Sequence, residues 1–129
     1  MSVRRTFSNA PWEKNVGYCR ALRVGNQVFV TGTAPIDENG RTFAPGKPFE
    51  QAQRCFEIIA RALSDLDAPI SSVVRTRMFV TDISKWAEFG RAHAEVFGTD
   101  PPTTTMVQVQ QLIDKEMLIE VEVDAVVEG

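Results

Sequence analysis

The feature that most constrains the fold is a C-terminal stretch, residues 118–127, in which apolar and acidic side chains alternate. Successive side chains of a β-strand point to opposite faces, so only a strand places the apolar residues on one face and the acidic residues on the other. The apolar face carries Ile119, Val121, Val123, Ala125 and Val127. The acidic face carries Glu120, Glu122 and Asp124. The apolar face therefore requires a covering layer, and the row of carboxylates predicts a basic neighbour, because adjacent like charges repel.

A second stretch, residues 73–80, supplies that basic neighbour. Arg75 and Arg77 share one face of the predicted strand. The other face carries Val74, Met78 and Val80. We predict that the two strands pair. The charged rows alone favour a solvated face, where each exposed ion pair contributes about 0–1 kcal/mol. The alternative is a face covered by another subunit, with one carboxylate reserved for chemistry.

The composition is that of a soluble globular protein. A chain of 129 residues is long enough for a single core, so we expect one domain over residues 1–129. Hydrophobic residues make up 43% and charged residues 24%, which is ordinary for this class. The 14 Lys and Arg against 17 Asp and Glu give a net charge of -3, which argues against a nucleic-acid partner bound through its phosphates.

Cysteine and histidine usage predicts a reduced protein without a metal site. Cys19 and Cys55 do not form a C-x-x-C pair, and the single histidine, His93, offers no cluster of metal ligands. The N-terminus lacks an apolar segment of signal-peptide length, and no stretch approaches transmembrane length. We therefore expect a cytoplasmic protein with no membrane partner.

Turn residues divide the rest of the chain into strands and helices. After an irregular start, strands over residues 19–24 and 27–33 are joined by Gly25-Asn26, a typical pair for a tight hairpin. A further strand is predicted over residues 103–110. With the two charged strands, this gives the order β-β-α-β-α-β-β.

Two segments show helical spacing instead. Residues 49–66 form one apolar stripe: Ala52, Phe56, Ile59, Leu63 and Leu66. Residues 84–98 begin at Ser84, a candidate N-terminal cap, and end at Gly98. Their stripe carries Trp86, Phe89, His93, Val96 and Phe97. Two helices cannot cover both faces, so the sequence predicts an α+β fold in which a mixed β-sheet has both helices on one face and a partner on the other.

Most catalytic signatures are missing from the sequence. There is no Gly-rich phosphate loop, G-x-S-x-G elbow or H-E-x-x-H pair. His93 lies on an apolar stripe, where a hydrogen-bonded core histidine is commoner than a catalyst. Trp12 is either a surface anchor or a pocket wall. Tyr18 and the threonines at 103–105 are ordinary strand residues by default, although their hydroxyls could also line a cleft.

Six short motifs follow one another through nearly the whole chain. They are Asn9-Ala10-Pro11, Gly17-Tyr18, Val30-Thr31-Gly32, residues 75–82, residues 102–109 and residues 119–122. In this order and spacing they resemble the reactive intermediate deaminase family, also called RidA or YjgF.

The resemblance implies a chorismate-mutase-like fold that assembles as a homotrimer, with ligand clefts between subunits. It also implies hydrolysis of enamine and imine intermediates to a keto acid and ammonia without a cofactor. Glu120 matches the acidic residue that activates water, and Tyr18 and Thr31 match the cleft tyrosine and serine. Gly32, beside Thr31, belongs to the same implied substrate site. A carboxylate in a partly dry cleft can have a raised pKa and relay a proton between water and the substrate nitrogen.

The sequence departs from the family archetype at other substrate-binding positions. Thr104 stands where the archetype has an arginine that binds the substrate carboxylate, Met106 where it has a cysteine, and Gly90 where it has an asparagine. Loss of a charge-assisted bond costs about 1.5–3 kcal/mol, or about one to two orders of magnitude in binding a carboxylate. The implied pocket is more apolar and roomier, and Arg75 or Arg91 is a candidate replacement for the missing base.

Three functions remain open at this point. The first is a hydrolase of imines, enamines or related small C–N metabolites, with Glu120 handling the proton. The second is a non-catalytic trimer that binds a small metabolite or a protein partner. The third is RNA cleavage, which the acidic charge balance disfavours.

Overall fold

The computed structural model describes residues 2–128, which form a six-stranded mixed sheet with helices packed on it. The strands are β1 (Val3–Thr6), β2 (Ala21–Val24), β3 (Gln27–Thr33), β4 (Val73–Val80), β5 (Thr103–Gln108) and β6 (Ile119–Val126). The α-helices are α1 (Trp12–Val16), α2 (Pro48–Asp65) and α3 (Trp86–Phe97). The strand order is β1-β2-β3-β6-β4-β5, in which β4 and β5 are parallel and the other neighbours antiparallel.

The alternating C-terminal strand lies in the middle of the sheet. β6 pairs with β3 on one side and with β4 on the other. Its inward residues are all buried: Ile119, Val121, Val123 and Ala125. Across the ladder, Asp124 lies opposite Arg75 and Glu122 opposite Arg77. The predicted pairing of the acidic strand with the basic strand is therefore confirmed.

The two long helices cover the same face of this sheet. α2 begins at Pro48, whose fixed φ suits a first helical turn and whose missing N–H would have no helical partner there. The stripe predicted for α2 is buried in full. It joins Phe89, Ala92 and Phe97 of α3 and the inward strand residues in one core. The predicted α+β arrangement is thus confirmed. Within residues 2–128, no helix combines the length and apolar character needed to cross a membrane.

The N-terminal part is more regular than predicted. Residues expected to be irregular form the edge strand β1 and the short helix α1. β1 pairs with β2, and the Thr6 hydroxyl donates to the Asp65 carboxylate at the end of α2, at 2.8 Å. The sequence of β1, Val-Arg-Arg-Thr, has no apolar alternation and so gave no signal. β2 also begins later than predicted, at Ala21.

A bulge in β4 reverses the predicted position of Val74. The register between β4 and β6 shifts between Val73 and Arg75, so Val73 is buried and Val74 is exposed. A bulge inserts one extra residue, and simple alternation cannot reveal it. Beyond the bulge, Thr76 takes a fully buried inward position.

The start of α3 also differs from the prediction. The capping side chain is Asp82 rather than Ser84, and it accepts a hydrogen bond from the Ser84 backbone N–H at 3.0 Å. A 3-10 turn, Ile83–Lys85, precedes the helix, so Trp86 is its first residue. Trp86 is therefore exposed, contrary to the prediction that it belongs to the buried stripe. β5 ends at Gln108 rather than at residue 110.

The opposite face of the sheet has no covering layer within residues 2–128. Phe29 of β3 is 44% exposed there. Nη1 of Arg77 lies 3.1 Å from the Glu122 carboxylate and 3.2 Å from that of Asp124, and all these side chains are partly exposed. We call this surface, defined by Phe29, Arg77, Glu122 and Asp124, the open face.

Candidate functional site

A bulge in β3 creates the recess against which Glu120 packs. The register between β3 and β6 shifts between Val30 and Thr33, so Thr31 and Gly32 lie at an irregularity of the ladder. A Cβ atom at Gly32 would overlap Oε2 of Glu120 and would lie 3.2 Å from its Cδ. The absence of a side chain at Gly32 therefore lets the carboxylate rest on the strand backbone.

The carboxylate faces a cavity of about 260 Å³ at this end of the sheet. Tyr18, Thr31, Gly32 and Glu120 line the cavity together. Its remaining wall is largely apolar and includes Trp12, Val16, Ile36, Ile58 and Ile113. The fold thus brings four of the predicted site residues to one place, and it makes Trp12 a pocket wall.

A buried ion pair that sequence reasoning missed stands beside this cavity. Nη2 of Arg20 lies 3.0 Å from Oε2 of Glu13, and both side chains are 5% exposed. Nη1 of Arg20 donates to the Gly32 carbonyl at 2.9 Å and to the Thr33 hydroxyl at 3.2 Å. The backbone N–H and the hydroxyl of Ser8 donate to Glu13. The pair therefore fastens α1 and the segment before β2 to the bulge of β3.

The surroundings of Glu120 favour its protonated form. Burial raises the pKa of the Glu120 carboxyl above its ordinary value, because the ionised form loses hydration. The positive charge of Arg20 opposes this increase, and the negative charge of Glu122 adds to it. No hydrogen bond or ion pair to another residue of the described range 2–128 engages the carboxylate. A carboxyl group whose pKa is raised is better suited to accept and return a proton than one at its ordinary value.

A shallow groove of about 790 Å³ runs across the open face to the mouth of the cavity. Tyr18 and Thr31 line both the cavity and the groove. At its other side the groove reaches Arg77 and Glu122. The cavity therefore communicates with the surface that the described chain leaves uncovered.

Thr104 and Met106 lie on the other face of the sheet. In the parallel ladder of β4 and β5, Thr104 pairs with Thr76 and Met106 with Met78, and both β4 residues are buried on the helical side. Because successive strand residues alternate, Thr104 and Met106 project to that side, away from Glu120. A single chain therefore does not bring these two positions into the Glu120 cavity.

His93 joins the Thr104 region from α3. Its Nε2 lies 2.8 Å from the Thr76 hydroxyl, which in turn donates to the Thr104 hydroxyl at 2.6 Å. The imidazole packs near Phe56 and Phe97, at centroid distances of 5.7 and 4.7 Å. Burial lowers the pKa of His93. His93 is therefore a half-buried, hydrogen-bonded side chain that packs against core aromatic residues, rather than a fully buried core histidine.

Neither arginine considered as a replacement base lines the cavity of its own chain. The Arg91 guanidinium lies 3.6 Å from the centroid of the Phe49 ring, and Arg75 is exposed. Cys19 and Cys55 are free thiols. Across residues 2–128, no three His, Cys, Asp or Glu side chains form a group that could hold a metal ion.

Known proteins match this chain over nearly its whole length. The family model described as endoribonuclease L-PSP matches residues 7–127. The uncharacterized protein SCO2049 of Streptomyces coelicolor is 36% identical over 124 residues, which are 96% of this chain and 92% of that protein. The chain belongs to the RidA/YjgF family.

Other members of the RidA/YjgF family agree in sequence and in fold. A RutC family protein from Pyrococcus abyssi is 33% identical, over 81% of this chain and 82% of that protein. The crystal structure of Rv2704 from Mycobacterium tuberculosis, described as a member of the YjgF/YER057c/UK114 family, is 39% identical and matches with a TM-score of 0.89. That match covers 98% of this chain and 100% of the Rv2704 chain. The sheet and helices described above are therefore those of the RidA/YjgF fold.

Proposed function

We propose that this RidA/YjgF chain is a cofactor-independent hydrolase that deaminates imines, enamines or related small C–N metabolites in clefts between the subunits of a homotrimer. The observation that carries the proposal is the half-buried Glu120 carboxyl, whose pKa is raised, in one cavity with the Tyr18 and Thr31 hydroxyls. We also propose that residues 1–129 act as one domain in the cytoplasm.

The proposed reaction adds water to a protonated C=N bond. The Glu120 carboxylate accepts a proton from water as the water oxygen bonds to the imine carbon, and the C=N electron pair moves to nitrogen. Glu120 then returns that proton to the nitrogen. The C–N bond breaks, the hydroxyl oxygen forms the carbonyl, and its proton leaves with ammonia as ammonium. The Tyr18 and Thr31 hydroxyls hold the ligand in position for attack.

A homotrimer would cover the open face and complete the clefts. The exposed Phe29 and the groove on that face support this part of the proposal. Thr104 projects away from Glu120 in its own chain, so it could approach a Glu120 cavity only from another chain. Light scattering at micromolar concentration should give three times the monomer mass of 14.4 kDa. A monomer mass would contradict the assembly.

The proposed role of Glu120 is tested by Glu120→Gln, which keeps the shape of the side chain and removes its charge. Imines would be generated in situ by an oxidase, and ammonia release would be followed. We expect the variant to lose about 10²- to 10⁴-fold in rate, the usual contribution of a general acid–base group. Glu88→Gln makes the same chemical change at a partly exposed position of α3, outside the cavity and the groove, and as the matched control it should keep its rate. An unchanged rate in Glu120→Gln would exclude the assigned role.

A second candidate function is binding without turnover. It is favoured by Thr104, which offers a neutral hydroxyl bound to Thr76 where the archetype of the family has a substrate-binding arginine. A thermal-shift screen distinguishes the two functions, since a binder gains stability from a compound that it leaves intact. Consumption of the stabilising compound by the purified protein would rule out this candidate.

RNA cleavage, which the family's description names, is the least favoured activity for this chain. The net charge of -3 disfavours the phosphate contacts that dominate RNA affinity. Purified protein free of contaminating nuclease can be assayed for RNA cleavage at several salt concentrations. Cleavage that requires Glu120 and decreases steeply with salt would make RNA the favoured substrate.

A further inference from the structure

We propose that the Glu120 cavity selects neutral or cationic imines that carry no carboxylate, because the Arg20 guanidinium beside it is already paired with Glu13. The inference rests on the proposed function and names its class of substrate.

The Arg20 guanidinium is engaged inside the protein. Nε and Nη2 donate to Oε2 of Glu13 at 3.1 and 3.0 Å. Nη1 donates to the Gly32 carbonyl and to the Thr33 hydroxyl. These bonds use four of the five N–H groups that a guanidinium offers. With one N–H of Nη2 left, a ligand carboxylate could accept a single hydrogen bond, and a bidentate contact would require it to displace Glu13 from a buried pair, whose disruption costs about 3–5 kcal/mol.

When Glu120 is ionised, as the proposed activation of water requires, its carboxylate is the one charge in the cavity wall without an ion-pair partner among the described residues. Among the described residues that line the cavity, only Arg20 and Glu120 are charged, and Glu13 neutralises Arg20 from behind the wall. Two hydrogen bonds from Ser8 hold Glu13 in that place. A ligand carboxylate would add a second negative charge next to Glu120, whereas a protonated imine would be attracted.

Trp12 gives the cavity a second feature that suits a cation. Its indole ring lines the same cavity as the Glu120 carboxylate. The face of an indole attracts cations through its quadrupole, and tryptophan is the strongest of the aromatic residues in this respect. The apolar side chains of Ile36, Ile58 and Ile113 complete a wall suited to a hydrophobic substituent.

The groove that leads to the cavity does not reverse this preference. Three cationic and three acidic side chains line it: Arg5, Lys14, Arg77, Glu13, Glu122 and Asp124. Because Glu13 is already paired with Arg20, the groove has an excess of one positive charge. Arg5 and Lys14 are exposed, so solvent and salt screen this excess. The discrimination therefore arises in the cavity itself.

Two imines that differ only by a carboxylate test the inference. An amino-acid oxidase generates one from phenylalanine, and an amine oxidase generates the other from phenethylamine. We expect the imine without the carboxylate to have a kcat/KM at least about tenfold higher, a difference of about 1.4 kcal/mol in transition-state stabilisation. Equal values, or a preference for the carboxylate, would overturn the inference.

Glu13→Gln should shift this preference, because it leaves the positive charge of Arg20 uncompensated beside the cavity. We expect the ratio of the two kcat/KM values to move about tenfold toward the phenylalanine-derived imine. Glu57→Gln changes the net charge of the protein by the same amount outside the cavity and should leave the ratio unchanged. A folded Glu13→Gln protein with an unchanged ratio contradicts the inference. If this variant fails to fold, the ratio of the natural chain still decides.

Binding of phenethylamine and phenylacetate separates this inference from the proposed function. Neither compound is turned over, and we expect phenethylamine to raise the Tm more than phenylacetate does. If the protein hydrolyses neither imine, the proposed function fails, while the two Tm shifts still decide the charge preference. A larger shift with phenylacetate, or no shift with either compound, overturns the inference.

Discussion

The two faces of the sheet use the same alternating strands in different ways. On the helical face, the inward residues of β3, β4 and β6 meet apolar side chains of α2 and α3 and are buried. On the open face, Phe29 is 44% exposed, and Arg77 shares partly exposed ion pairs with Glu122 and Asp124. The helical face is complete within one chain, whereas the open face is not. The Glu120 cavity opens to the incomplete face, so the residues of the core and those of the candidate site form largely separate sets.

The largest expected difference between the faces is in stability. Phe89 is fully buried in the core. Phe89→Ala should lower the free energy of unfolding by about 3–5 kcal/mol, because a buried ring is lost and a cavity remains. Phe29→Ala on the open face should cost about 1 kcal/mol or less in the separated protomer. Urea unfolding, followed by circular dichroism on both variants, measures the two values.

The same pair of variants also tests whether sister chains cover the open face. If they do, Phe29→Ala should lower the mass measured by light scattering at a concentration where the natural chain is assembled. Phe89→Ala, which acts inside the protomer, should leave the mass of its folded fraction unchanged. A Phe29→Ala protein that assembles normally would show that Phe29 lies outside the contact.

Gly32→Ala should affect activity more than stability. The new Cβ would overlap the Glu120 carboxylate, and the end of that flexible side chain would have to move. A displacement of about 1 Å can reduce a rate by about 10- to 100-fold, so we expect a loss in that range with a nearly unchanged Tm. Ammonia release and a thermal melt of the same preparation measure both. A normal rate would show that catalysis does not require the Glu120 carboxylate to rest against Gly32.

Most of the fold can be predicted from the helical and strand periodicities of apolar residues in the sequence. The stripe of α2 and the alternation of β6 extend over several turns or residue pairs, so tertiary packing does not override them. The exceptions are local. Val74 differs from the prediction because it is the extra residue of the bulge, whereas the positions from Arg75 onward keep the predicted faces. Trp86 differs because a 3-10 turn moves the start of α3. β1 was missed because it is short and paired only at one edge.

The candidate site was less accessible from the sequence than the fold. Motif resemblance pointed to Glu120, Tyr18 and Thr31, which do share one cavity. Nothing linked Glu13 to Arg20, since their contact depends on α1 and on the chain reversal at Gly17, where φ is +91°. A prediction of the short helix over residues 12–16 would have indicated that the chain reverses after it and brings Glu13 close to Arg20. The separation of Thr104 from Glu120 depends on the register of β4 and β5, which places Thr104 opposite the buried Thr76 and which the sequence does not specify.

Arg77→Met should have a smaller effect than either Phe89→Ala or Gly32→Ala. The variant removes both ion pairs of the open face, which are partly exposed and therefore contribute about 0–1 kcal/mol in a free protomer. Unfolding in urea at two protein concentrations, on either side of assembly, measures the cost. If sister chains bury this surface, the cost should be larger at the higher concentration, because a buried carboxylate that loses its partner is costly. Equal costs at both concentrations would indicate that the charged row faces water in the assembly as well.

The pH dependence of stability gives the smallest effect. Burial raises the pKa of Glu120 in the folded chain, so between its ordinary and its raised value the folded state binds more protons than the unfolded state. Stability from this group is therefore lost as the pH rises through that interval, and the ionised carboxylate is destabilising above it. Glu120→Gln should leave stability unchanged near pH 4 and increase it near pH 8, by a small amount because the side chain is only half-buried. Urea midpoints of both proteins at the two pH values give the comparison. A variant that is less stable than the natural chain near pH 8 would mean that the folded protein stabilises Glu120 in its charged form, which contradicts a raised pKa.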